Sequence, residues 1–247
     1  MKKLYEKNEL LFTMVVAVVH LVLCMFTQDL SWLIGGDRLI PAIGIGLESV
    51  FLYLWISKNG MKERCGLCGF KESEKNVNRC LYWIPLTMLV VIQFVRGIQI
   101  NDSVLNMILY TIIGMGTGFL EEIIYRGFLF KALCKNEVGM AIVISSFIFG
   151  TIHLNHLLWG KDLPTTLMQF LYAGAVGFLF CVIFYEGKSL WPCIITHGLI
   201  NSCRIFVAEE VTLLLYLEIG MVMCIISMGF AVYFLKLADV RIMECIE

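Results

Sequence analysis

The stretch Gly118-Phe-Leu-Glu-Glu-Ile-Ile-Tyr-Arg-Gly-Phe128 places three formal charges, Glu121, Glu122 and Arg126, inside an apolar run from Val104 to Phe130. At mid-bilayer each such charge costs roughly 2.5–3.5 kcal/mol on an insertion scale. A cluster of this kind persists by pairing, by facing a wet cavity or by doing chemistry. Glu122 and Arg126 are four apart with the acid first, the order that joins two side chains on one helical face. Glu121 points about 100° away from Glu122 by the pitch of the helix. Arg126 is therefore satisfied by Glu122, and Glu121 is left free. A free carboxylate in a low-dielectric cavity is the group a general base requires.

Further polar groups stand in apolar surroundings downstream. His153 and His156 close the run Phe149-Gly-Thr-Ile-His-Leu-Asn-His156, and Thr196-His-Gly-Leu-Ile-Asn201 carries His197 and Asn201. His197 and Asn201 are four apart and share a face. A single buried histidine, or a single Glu–Arg pair, is usually architectural. One free Glu, two His and an Asn converging in lipid point instead to a functional site.

Two chemistries fit this set. Glu121 and His153 together can deprotonate a water for attack on an amide carbonyl, with His197 and the Asn201 amide holding the oxyanion. Alternatively, Glu121, His153 and His197 form a two-His, one-Glu set for a divalent metal such as zinc, with an open position for bound water. The cofactor is left open between these. The chain lacks an H-E-x-x-H helix, a G-x-S-x-G turn and an evident Ser–His dyad, so a covalent serine route is not expected. His156 has no place in either scheme beyond supporting His153 or lying at an interface, and His20 stands alone as a packed or interfacial residue.

The elements that must carry these residues are membrane spans. Hydrophobic residues make up 59% of the 247, charged residues only 16%, and mean hydropathy is +0.83. That composition is too apolar for a soluble fold and implies an all-α, polytopic membrane protein. A formal charge of −1 gives no reason to expect nucleic acid as a partner. Eight apolar segments are long enough to span ~30 Å of hydrocarbon: 10–26, 39–57, 81–98, 104–131, 138–157, 165–186, 190–206 and 211–237. Each proline (Pro41, Pro85, Pro164, Pro192) falls near the start of a segment, where a missing N–H costs least. The first segment lacks a small-x-small cleavage site and reads as an uncleaved helix. Residues 1–247 are expected to form one integral membrane domain, with a catalytic core at about 104–206.

Fourteen Lys and Arg residues fall on the side of the N-terminus, the 58–79 loop and the C-terminus, against four (Arg38, Arg96, Lys161, Arg204) on the other. The positive-inside rule then puts both termini in the cytoplasm, in a multi-pass protein of the cell membrane. Cys65-Gly-Leu-Cys68 in the basic loop has no second pair or histidine following it there, so the loop reads as solvated and near anionic headgroups rather than as a zinc site. The other cysteines lack a disulfide framework and read as small core residues. Gly114, Gly116 and Gly118 mimic a phosphate loop, but no strand precedes them. Gly114 and Gly118 fit the small-xxx-small pattern of close helix approach.

Depth links the sites. Residues 134–139 form a short turn that makes the fourth and fifth segments an antiparallel hairpin. Glu121 and His153 are equidistant from its centre, about sixteen residues or ~24 Å away at helical rise. His197 is only about nine residues, ~13 Å, from its cytoplasmic end. The three meet only if the hairpin projects further or the turn is long.

These residues resemble the CAAX protease and bacteriocin-processing (CPBP, or Abi) family of intramembrane endopeptidases, whose motifs are E-E-x-x-x-R, F-x-x-x-H and H-x-x-x-N. They stand here as Glu121-Glu122-Ile-Ile-Tyr-Arg126, Phe149-Gly-Thr-Ile-His153 and His197-Gly-Leu-Ile-Asn201. Each motif is weak alone; three in order on separate apolar helices are specific. The likeness covers about 104–206, and Ser189-Leu-Trp-Pro192 is also family-like. It implies an eight-helix core, cleavage of a membrane-associated peptide or protein near its C-terminus or leader, and catalysis by Glu121, His153, His197 and Asn201. Glu122 and Arg126 are then supporting residues, and Glu121, His153 and His197 the ligands if a metal is used. A bacterial peptide-processing role is preferred to prenyl-protein trimming. Two other readings stay open: a proton-coupled transporter using the intramembrane Glu, Arg and His as a relay, and a non-catalytic bacteriocin self-immunity protein.

Overall fold

The computed structural model describes residues 1–35, 38–69, 79–100, 102–208 and 211–244. Among these the chain is all-α, and its one strand-like pairing is an isolated antiparallel bridge between Ile98 and Val207. Helix starts follow from local capping chemistry, in which a side-chain oxygen accepts an N–H of the first turn. Asn8 separates α1 (Lys2–Lys7) from α2 (Glu9–Leu33), its Oδ1 accepting from the Leu11 amide. After α3 (Leu39–Lys58) and α4 (Arg79–Val91), Ser103 Oγ opens α5 (Val104–Glu122) by accepting from Asn106. Helix α5 runs unbroken into a π-helical segment, Ile123–Phe130, and a last turn, α6 (Lys131–Leu133). Glu137 caps α7 (Val138–Ile152) through the amides of Gly139 and Met140, and a 3-10 stretch, His153–Trp159, continues it. Asp162 caps α8 (Leu163–Gly187), which has a proline in its first turn. Helices α9 (Trp191–Cys203) and α10 (Leu213–Glu244) complete the order.

Among the described residues six helical stretches are long and apolar enough to cross a membrane: Glu9–Leu33, Leu39–Lys58, Val104–Leu133, Val138–Trp159, Leu163–Gly187 and Leu213–Leu237. Large apolar side chains such as Met14, Val18, Leu47, Phe147 and Ile225 face outward from them, as a lipid solvent demands. The other two expected spans are shorter. The helix at 81–98 gives way to a 3-10 turn at Ile92–Arg96 and stops at Gly97, whose φ of 90° is left-handed. The segment at 190–206 holds only thirteen α-helical residues, Trp191–Cys203, before a 3-10 turn at Arg204–Phe206. These two helices pack on each other, and α9 is largely buried. Enclosed by other helices, α9 need not match the hydrocarbon thickness, whereas α4 and its 3-10 continuation leave Trp83, Ile84, Met88, Val91 and Val95 exposed. Pro85 lies inside α4 rather than at its start, a correction to the reading of the prolines.

The depth mismatch of His197 is settled by where α9 begins. Ser189 and Leu190 are buried, and the 61–69 loop folds over them. The Leu190 amide donates to Gly66 O at 3.0 Å, and Trp191 Nε1 donates to Leu67 O at 3.2 Å. Helix α9 thus starts inside the protein and needs few residues to bring His197 level with α5. Cys65 is buried in this loop and Cys68 exposed, both as free thiols. The remainder of the basic loop, 70–78, lies outside the described residues. Glu9 ties this end together, its Oε2 accepting from Arg64 Nη2 at 2.7 Å and pairing with Lys135 Nζ at 2.9 Å.

Helix α8 is the most enclosed span, packed against α7 and α10 with Val176, Leu179, Phe180, Val182, Ile183 and Phe184 in the core. The other defining contact is between α5 and α9. A Cβ on Gly118 would lie 2.6 Å from the Gly198 amide nitrogen, and one on Gly114 2.6 Å from Ser202 Oγ. Small residues on both helices bring the backbones together, as the spacing of Gly114 and Gly118 predicts. The equal steps of four, from 114 to 118 and from 202 back to 198, fix an antiparallel register. That register sets Glu121 and Glu122 beside His197.

Candidate active site

Helix α5 delivers the two glutamates to different environments. Glu122 and Arg126 are completely buried, and Arg126 Nη1 donates to Glu122 Oε1 at 3.0 Å. The pair expected from the i,i+4 spacing forms although Arg126 lies in the π-helical segment. Such wider turns cluster at functional sites. The guanidinium is sandwiched by aromatics, 4.0 Å above the Phe149 ring and 5.8 Å from Phe180, a favourable use of the ring quadrupole in a dry site. Gly177 of α8 leaves it room, since a Cβ there would stand 2.7 Å from Arg126 Nη2.

Glu122 makes a second bond that local spacing does not reveal. Its Oε1 lies 2.9 Å from His197 Nδ1, so Nδ1–H donates to the carboxylate and the ring is fixed from behind. His197 Nε2 then faces Glu121, whose Oε2 is 3.7 Å away. That oxygen is buried and makes no hydrogen bond within the protein. Glu121 is thus the acceptor not committed to Arg126, and His197 stands between the two glutamates.

His153 sits at the turn from α7 into its 3-10 extension. Its Nδ1 is 2.9 Å from Phe149 O; donation there leaves Nε2 with a lone pair. The Phe149 ring lies between the two histidines, its centroid 5.1 Å from the His153 ring and 5.7 Å from that of His197. Glu121 is within electrostatic range of both His153 and His156. His156 stacks on His153, with ring centroids 6.1 Å apart and planes 4° from parallel. It buttresses His153 rather than standing apart.

A cavity of about 60 Å³ opens beside these groups, lined among others by His153, His197, Asn201, Phe149 and Phe180. Glu121 is not part of that lining and lies on the Nε2 side of His197, opposite Glu122. The cavity wall also carries Gln93, Arg96, Gln169, Tyr172, Arg204 and Tyr216, none of them singled out from the sequence. Only Arg204 had a local signal, lying three residues beyond Asn201 on the same helical face. Lys161, near the two arginines, is pushed down to about 8 by desolvation and by the charges of Arg204 and Arg96.

Among the described residues no group of three or more His, Cys, Asp or Glu is arranged to hold an ion. Each histidine does present Nε2 with Nδ1 bonded to a carbonyl or carboxylate, the orientation metal-binding histidines share. Glu121 Oε2 stands 3.7 Å from the Nε2 of His197. His20 is also better connected than expected: buried on α2, its Nδ1 lies 3.0 Å from Glu48 Oε2 on α3.

Comparison with known proteins bears on this geometry. Residues 103–203, the stretch that carries all three motifs, match the family described as type II CAAX prenyl endopeptidase Rce1-like. That match covers less than half of the chain. A protein of Bacillus subtilis (strain 168), named "Putative membrane peptidase YdiL", is 37% identical over 94 residues. That match covers 37% of this chain and only 33% of the relative, so the chain aligns with about a third of its length. No solved structure matches significantly. Within the matched stretch α5 and its π-helical continuation supply Glu121, Glu122 and Arg126, α7 ends at His153, and α9 supplies His197 and Asn201. Helices α2, α3, α4 and α10 lie outside it.

Proposed function

We propose that this protein is an intramembrane endopeptidase that hydrolyses a peptide bond with a water activated by Glu121 and His153. The observation that carries the reading is Glu121 Oε2, a buried carboxylate oxygen with no hydrogen-bond partner, 3.7 Å from His197 Nε2. A base must keep such an acceptor uncommitted. The reacting water donates one proton to Glu121 while His153 Nε2 orients it, and its oxygen attacks the scissile carbonyl carbon. The carbonyl oxygen becomes an oxyanion beside Asn201, whose side-chain N–H donates to it. His197, with Nδ1–H on Glu122, donates from Nε2 when that nitrogen is protonated. Collapse breaks the C–N bond, and Glu121 returns the proton to the leaving amine. This route is written with the protein's own groups, and a water held by a metal at Glu121, His153 and His197 is the alternative that metal removal tests.

The substrate in this reading is a membrane-associated peptide or protein, which fits a cavity set among transmembrane helices and walled by the amide side chains of Gln93, Gln169 and Asn201. The Lys/Arg bias supports cytoplasmic termini. Modification of exposed Cys68 in intact cells by a membrane-impermeant maleimide would reverse that orientation. The central experiment is cleavage of candidate peptides by purified protein in detergent. Glu121→Gln should abolish turnover while leaving the fold and peptide binding intact, because the amide keeps the shape but takes no proton. Undiminished cleavage by this variant would sink the mechanism.

A further inference from the structure

The cavity beside His197 is asymmetric in charge. Of the four cations remote from the basic loop, Arg38 is paired with Asp102, while Arg96 and Arg204 line the cavity itself. Arg96 lies 5.4 Å from the ring centroid of Tyr216, and its Nε is buried without a hydrogen-bond partner. No ion pair joins Arg96, Arg204 or Lys161 to a carboxylate among the described residues. Arg96 and Lys161 are half-buried and Arg204 is exposed; like charges gathered this closely repel one another and are costly to maintain. Their joint position is explained if an anion from outside the chain completes them.

We propose that Arg96 and Arg204, backed by Lys161, bind a carboxylate of the peptide substrate at the mouth of the cavity and so determine which bond reaches Asn201. This rests on the endopeptidase reading and adds a substrate class to it: peptides bearing an acidic group close to the cleaved bond. Planar guanidinium groups suit a carboxylate because they donate in a fork. Arg204 is three residues from Asn201, about 4.5 Å along the helix axis, and its side chain reaches further. An extended peptide advances about 3.3–3.6 Å per residue, so the carboxylate lies roughly two or three residues from the scissile carbonyl. The cavity wall supplies Gln93, Gln169 and Asn201, which suit the peptide amides between those points. Hydrogen-bonding amides beside a cationic end favour a peptide over a lipid headgroup.

The test measures binding to Glu121→Gln protein in detergent by fluorescence polarisation, so that cleavage does not interfere. Three fluorescein-labelled random hexapeptide libraries serve as probes: one with free C-terminal carboxylates, one C-terminally amidated without acidic residues, and one amidated with a single Asp. At least one carboxylate-bearing library should bind about tenfold or more tightly than the neutral one, as a charge-assisted bond implies. The preferred library distinguishes a terminal from a side-chain carboxylate. Arg96→Gln and Arg204→Gln, each added to that background, should remove the preference while leaving neutral-library binding unchanged. Equal binding of all three libraries would overturn the inference, as would a preference that survives both substitutions. Micellar phosphatidylglycerol competing with acidic and neutral peptides alike, through the same arginines, would make this a lipid site and also overturn it. Carboxylate preference without cleavage by wild-type protein would refute the endopeptidase reading but retain the anion subsite.

Discussion

Glu122 holds His197 through the oxygen that also holds Arg126, with Oε1 at 2.9 Å from the imidazole and 3.0 Å from the guanidinium. One buried carboxylate therefore couples a charge on its own helix to an imidazole on α9. The i,i+4 spacing identifies the first contact; the second exists only because α5 and α9 cross where they do. Arg126 thus orients the site at one remove.

Arg126→Ala should destabilise the fold and lower turnover together, because it strands a fully buried carboxylate. Breaking such a pair costs about 3–5 kcal/mol, which thermal melting and folded yield in detergent will register. A variant that melts like wild type and yet is inactive would place Arg126 in the chemistry itself. Glu122→Gln should show a milder loss of stability with a large fall in rate, since the amide keeps an acceptor oxygen for the Arg126 and His197 N–H groups but loses the negative charge that faces Arg126.

Gly118→Ala tests the crossing. Its new Cβ would meet the Gly198 amide at 2.6 Å, which is backbone and cannot swing aside. Overpacking of this kind costs about 1–3 kcal/mol, and a displacement near 1 Å at the site costs on the order of 10² in rate. Gly46→Ala, where nothing lies within 4 Å, is the control. Equal melting and turnover for the two variants would show that the close approach is dispensable.

Asn201→Ala should retain measurable activity, because removal of one oxyanion donor costs about 10²–10³ in rate. Chelator-treated protein, verified metal-free by elemental analysis, should keep full turnover. Loss of activity restored by one equivalent of zinc would instead mean that Glu121, His153 and His197 close around an ion.

Lys161 offers a pH readout away from the spans. Desolvation, Arg204 and Arg96 lower it to about 8, and Asp162 opposes them. An ordinary lysine titrates near 10.4, so between about 8 and 10.4 the unfolded chain binds more protons than the native one. This group's contribution to stability therefore rises with pH across that window. Acylation of Lys161 by an amine-reactive ester, followed by mass spectrometry, should show a midpoint near pH 8. Arg204→Gln should move the midpoint upward. An unchanged midpoint would mean that burial alone sets it.

Much of this site was legible in the chain because its determinants are local. The Glu122–Arg126 spacing, the Gly114/Gly118 pair and the hairpin turn at 134–139 each depend on helical pitch, which is the same in every protein. What escaped depends on tertiary contacts. The early start of α9 is set by the 61–69 loop, over a hundred residues away. His20 looked solitary because its partner Glu48 is on another helix. Arg96 and Arg204 were counted for topology, although their meaning lies in the cavity they share.

The loop over α9 has a consequence for how this protein can be watched. Gly66 has φ +67°, and a side chain there would run into Phe184 and the Leu190 amide. That amide, at the start of a helix, is bonded to the loop carbonyl at 3.0 Å instead of to water. Its hydrogen can exchange with deuterated solvent when the loop lifts, without unfolding of the whole helix. Deuterium uptake at Leu190 is therefore a clock for departures of the 61–69 loop, placed two turns from His197.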